Sequence, residues 1–65
     1  MADNSKKQLR KVTVEITDGR QTGEDTYRII VPSDSTTKKE MEWRMEFLDG
    51  IATWTIIEDE LVREI

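Results

Sequence analysis

Carboxylates are the first groups to weigh for chemistry in this 65-residue chain, which has no cysteine and no histidine. That absence excludes thiolate and imidazole metal sites, and with them every Ser-His or Cys-His nucleophile. Asp18, Glu24 and Asp25 fall in one polar stretch and could attract a cation. Their spacing does not match the twelve-residue calcium loop, which requires acids at alternating positions and a closing glutamate. Gly19 and Gly23 in the same stretch lack the Lys-Ser/Thr that a phosphate-binding loop needs. Glu58, Asp59, Glu60 and Glu64 cluster near the C-terminal end, as a solvated turn does or as a surface facing a partner's Arg or Lys. No pattern sets a carboxylate in an apolar pocket that would raise its pKa for acid–base work. The reading is therefore a non-enzyme, with no catalytic, cofactor or metal residues; a domain this small rarely holds an enzyme-sized pocket.

Length allows one domain. A chain of this size buries only about 60% of the surface its unfolded form exposes, so stability should be modest. The net charge of −4 is uneven. Residues 1–32 carry six basic and five acidic side chains, residues 33–65 four basic and nine acidic. General attraction to nucleic acid is disfavoured by that balance, although Lys6, Lys7, Arg10 and Lys11 form a local basic arm. The acidic second half suits solubility or a basic protein partner. Neither a signal-peptide core nor an apolar run of membrane-spanning length is present, so a cytoplasmic location without membrane contact is expected.

The elements follow from periodicity. Residues 1–7 read as a flexible tail and residues 8–65 as a single small β domain. Val12, Val14 and Ile16 alternate with Lys11, Thr13, Glu15 and Thr17, the pattern of a half-buried strand. Residues 18–25 are polar and glycine-containing, which predicts a long mobile loop. Tyr27, Ile29 and Val31 mark a second strand that Pro32 ends.

Residues 37–48 support two periods. Thr37-Lys38-Lys39-Glu40 has the form of a capping box, Met41, Met45 and Leu48 fall at helical spacing, and Gly50 could cap the C-terminal end. Against this, Met41, Trp43, Met45 and Phe47 alternate with Glu40, Glu42, Arg44 and Glu46, as on a strand. Asp49-Gly50 is the preferred composition of a type I′ turn. A hairpin there sets Phe47 against Ala52, Met45 against Trp54 and Trp43 against Ile56. That register favours the hairpin. Beyond it, Ile57, Leu61 and Ile65 suit a short helix, or residues 58–60 make a 3₁₀ turn before a fifth strand.

The expected fold class is all-β, a small antiparallel five-stranded barrel, with a four-stranded meander plus a C-terminal helix as the alternative. The long first loop, the Asp49-Gly50 hairpin and the Glu58-Asp59-Glu60 turn before Leu61-Val62 give this order a resemblance to the small SH3-like barrel over residues 8–65. The likeness is one of topology. The aromatic pair and tryptophan pair of signalling SH3 domains are absent, so the resemblance implies no ligand. The expected core is Val12, Val14, Ile16, Tyr27, Ile29, Val31, Met45, Phe47, Trp54 and Ile56.

Function is then expected to be binding: an inhibitor, adaptor or accessory subunit that docks on a larger protein. Leu48 and Ile51 flank the expected turn on its polar face, and Ile30 and Ile57 share that parity, so these four could form an exposed apolar patch. Trp43 is balanced between core and groove. The alternative is a nucleic-acid-binding barrel using Lys6, Lys7, Arg10, Lys11, Lys38 and Lys39, with Tyr27 or Trp43 stacking on a base. A homo-oligomer is a third reading.

Overall fold

The structure, a computed structural model, describes residues 6–65. Of the expected tail, residues 1–5 lie outside the described residues, and Lys7 already belongs to a strand. The chain forms β1 (Lys7–Asp18), β2 (Gln21–Pro32), helix α1 (Thr37–Arg44), a 3₁₀ turn (Glu46–Leu48) and β3 (Thr53–Glu64). The three strands make one antiparallel sheet in the order β2-β1-β3. It is open, with one helix, so neither the five-stranded barrel nor the meander with a C-terminal helix is correct.

The long loop expected over residues 18–25 is a two-residue turn at Gly19-Arg20, with Asp18 paired to Gln21. Gly19 takes a φ of 63°, and among the described residues no non-glycine has positive φ. Positive φ at the first central position alone is the type II′ arrangement, which glycine supplies without strain. Polar residues 21–26 then continue β2, because both strands project past the core and an edge strand can be solvated on both faces.

Strand β3 replaces the expected fourth strand, turn and fifth strand. It is continuous through Glu58-Asp59-Glu60 because two irregularities absorb the change of pattern. Thr13 pairs with Glu58 and Val14 with Ile56, leaving Ile57 as an extra residue; Val62 is extra between Leu61 and Arg63. Such bulges keep a strand paired while re-aiming its side chains.

Sheet parity separates two faces. One carries Val12, Val14 and Ile16 with Tyr27, Ile29 and Val31 beside them, and Trp54 and Ile56 on β3. The other is rich in threonine, where Thr13 meets Thr26 and Thr17 meets Thr22 through hydroxyls 3.2 Å apart. An apolar sheet face must be covered by a second layer, and α1 provides it. Met41 and Met45, one turn apart, are fully buried against Val12, Val14, Ile29 and Val31. Ile16, Tyr27, Leu48, Trp54 and Ile56 pack around that cluster. Each fully buried aliphatic side chain contributes about 1.5–3 kcal/mol, which is how a short helix stays docked.

The Asp49-Gly50 hairpin is therefore a correction as well. Residues 37–44 are helical, and Gly50, at a φ of 78°, ends the 3₁₀ turn instead of joining two strands. Backbone N–H groups of Ile51 and Ala52 both donate to the Leu48 carbonyl there, at 2.9 Å. Phe47, expected in the core, is 64% exposed, because helical geometry turns it away from the methionines. A strand at 41–47 would have left Val12, Val14, Ile29 and Val31 without a cover.

Candidate binding surface

Helix α1 begins at Thr36, whose side-chain oxygen accepts a hydrogen bond from the Lys39 N–H at 3.2 Å. This is an N-cap of the usual kind, one residue earlier than the Thr37 expected. Glu40 fixes the first turn from the other side. Its carboxylate accepts from the Ser35 hydroxyl at 2.8 Å, and the Arg44 guanidinium lies 3.5 Å away and donates to the Glu40 carbonyl at 2.8 Å. The Ser35 hydrogen bond, with smaller help from Trp43 and Arg44, outweighs desolvation and holds the Glu40 carboxyl below its ordinary value near 4.5.

A depressed carboxyl stabilises the fold at neutral pH, and that contribution disappears as pH falls from the ordinary value through the lowered one. Glu40→Gln should therefore lower Tm at neutral pH, and the difference from wild type should shrink as pH falls from the ordinary carboxylate value through the lowered one. A Tm difference independent of pH would show that the carboxylate charge is not what anchors the turn.

Arg44 also stacks on Trp43, with its guanidinium carbon 4.2 Å from the ring centroid. Trp43 is thus held in place although it is 57% exposed. Two positions on either side of it, Met41 and Met45 point into the core, so Trp43 and Phe47 lie on the outward side of the same segment. Glu42, Glu46 and Asp49 are exposed on the same segment and line a shallow cleft with Met45 and Trp54. The result is two outward aromatics, Trp43 under Arg44 on α1 and Phe47 on the 3₁₀ turn, on a segment that also exposes acidic side chains.

The residues expected to form a partner surface are not brought together. Trp43 and Ile51 are exposed on the helical segment and the turn after it. Leu48 is half-buried and packs on the core. Ile30 lies on the threonine-rich face, opposite Leu9, and Ile57 is the extra residue of a β3 bulge. Phe47 was missed, although its four-residue spacing from Trp43 would have revealed it in a helical reading.

The basic residues are divided as well. Lys7 and Lys11 share the threonine-rich face by parity, while Lys38 and Lys39 are on α1 across the sheet. Arg10 is on the helix-covered side and is engaged: its Nε lies 2.7 Å from Asp59 Oδ1, and Nη1 donates to Gln8 Oε1 at 2.6 Å. Lys6 is exposed just before β1. Tyr27 is partly buried, and that burial, with the Asp25 charge, raises its hydroxyl pKa above 10.0.

Among the described residues, no group of three or more acidic side chains converges in a way that could hold a metal ion. No described helix is long and apolar enough to cross a membrane. No protein-family model, curated protein or solved structure matches this chain.

Proposed function

We propose that this protein is a non-catalytic interaction module of the cytoplasm, an inhibitor, adaptor or accessory subunit that docks on a larger protein. The observation that carries this reading is the outward pair Trp43 and Phe47, more than half exposed on the segment that covers the core. Exposed aromatics cost free energy in water and are the residues that anchor protein interfaces when buried. Trp43 is already ordered by Arg44, so docking would lose little side-chain entropy. Glu42, Glu46 and Asp49, exposed on the same segment, favour a partner with lysine or arginine beside its apolar pocket.

The test is quantitative affinity capture with wild-type protein and a Trp43→Ser/Phe47→Ser variant as baits. Both should fold, the variant with a slightly lower Tm, because neither side chain is in the core and Trp43 contributes only its surface contacts with Glu40 and Arg44. A protein retained by wild type, lost by the variant and released progressively by salt supports the reading. Equal capture by both baits, or none by either, refutes it.

A further inference from the structure

We propose that a second copy of this chain docks along the outer edge of β2, antiparallel and centred on Thr26, to build a continuous six-stranded sheet. The two free edges of the sheet differ. Strand β3 carries two bulges and the run Glu58-Asp59-Glu60, devices that discourage pairing with another strand. Strand β2 has no bulge, its only proline is at its last position, and its charges, Glu24, Asp25 and Arg28, are of both signs. It pairs with β1 in an unbroken register from Gln21 to Pro32, and residues 21–26, 28 and 30 are exposed.

The phase of the ladder shows which groups the β2 edge presents. The Ser33 N–H donates to the Lys6 carbonyl at 3.1 Å. Odd-numbered residues of β2 thus exchange hydrogen bonds with β1, and alternation leaves the even-numbered ones facing outward. Thr22, Glu24, Thr26, Arg28 and Ile30 therefore offer unpaired N–H and C=O groups along the free edge.

Charge then chooses the register. Across β1, Glu24 faces Glu15 and Arg28 faces Lys11, so each meets a like charge within its own sheet. Lys11 has Glu60 on its other side, yet among the described residues the ion pairs are Arg10–Asp59 and Arg44–Glu40. Centring two β2 strands on Thr26 sets Glu24 against Arg28 of the second copy, and Arg28 against its Glu24. Two like-charge contacts in each protomer are thereby compensated by opposite charges across the junction. Centring on Asp25 or on Arg28 would oppose identical charges, and centring on Tyr27 would place Glu24 against Ile30.

Directly opposed residues in an antiparallel pair point to the same face, so the two-fold axis runs perpendicular to the sheet. Both α1 helices then lie on one side. The dimer stands independently of what Trp43 and Phe47 bind.

Sedimentation velocity over a concentration series tests it. Wild type should shift from monomer to dimer, and Glu24→Arg or Arg28→Glu alone should weaken the dimer about tenfold or more. Mixing those two variants in equal amounts should restore it, because every junction pair is again of opposite charge. Thr26→Pro should remain a folded monomer, since the N–H it removes faces outward and Thr13, which loses its hydroxyl partner, keeps Glu58 Oε1 as acceptor at 3.5 Å. A wild type that stays monomeric throughout overturns the proposal. So does a dimer that tolerates Thr26→Pro, or single variants that fail to recover on mixing.

Discussion

Met41→Ala should destabilise this domain by about 2–5 kcal/mol, the usual cost of truncating a fully buried methionine. Met41 has no exposed surface and touches the cluster of Val12, Val14, Ile29 and Val31 from the helix side. A domain of this length has a total stability of only about 3–10 kcal/mol, so the variant should sit near its unfolding midpoint at ambient temperature. Phe47→Ala removes a larger side chain but one that is mostly in water, and should change stability by less than about 0.5 kcal/mol. Urea titrations of the two variants decide between the helical cover and a strand, which would bury Phe47 near its centre and leave Met41 at its end. A larger loss from Phe47→Ala than from Met41→Ala would contradict the packing described.

The contrast shows how residues 37–50 misled a reading by alternation. Met41, Trp43, Met45 and Phe47 have period two, but Met41, Met45 and Leu48 also have the helical period, and hydrophobicity alone does not separate them. The composition does. From Lys38 to Gly50 there is no valine, isoleucine or threonine, and nine of the thirteen residues are Lys, Glu, Met, Arg or Leu, all good helix formers. The β1, β2 and β3 segments, by contrast, are dense in β-branched residues.

The hairpin signal was similarly divided. Asp-Gly occurs at Asp18-Gly19 and again at Asp49-Gly50. The turn forms at the first, one residue on, and the second terminates a helical segment. What hid the first was the polarity of residues 20–26, which on an edge strand facing water carries no penalty. Central β1 and the apolar half of β2 were legible because one face of each is buried, and Val12, Val14, Ile29 and Val31 lie where alternation put them. The binding surface was less legible. Trp43 and Ile51 are exposed, but Phe47 depends on the helical phase, and Leu48 changed roles with it.

Glu42→Pro should be nearly as damaging as the loss of Met41, although Glu42 is exposed and no core contact is removed. Proline there deletes an N–H from the interior of an eight-residue helix and forces its ring onto the preceding turn, at a cost of about 3 kcal/mol. The helix has too few turns to survive without its docking face. Once it detaches, Met41 and Met45 leave Val12 and Val14 open to water, so the sheet should lose its tertiary signal in the same transition. Glu42→Ala keeps the backbone bond and should be close to neutral, which separates the loss of the N–H from the loss of the carboxylate. The sharper comparison is with Thr26→Pro. The same residue type on the outer edge of β2 deletes a donor that no intrachain acceptor uses, and should leave the monomer folded. Near-ultraviolet circular dichroism and thermal melts of the two proline variants would therefore diverge, with Glu42→Pro unfolded or nearly so and Thr26→Pro native. Equal tolerance at both positions would mean that residues 37–44 are not helical, and the cover over Val12 and Val14 would have to come from elsewhere.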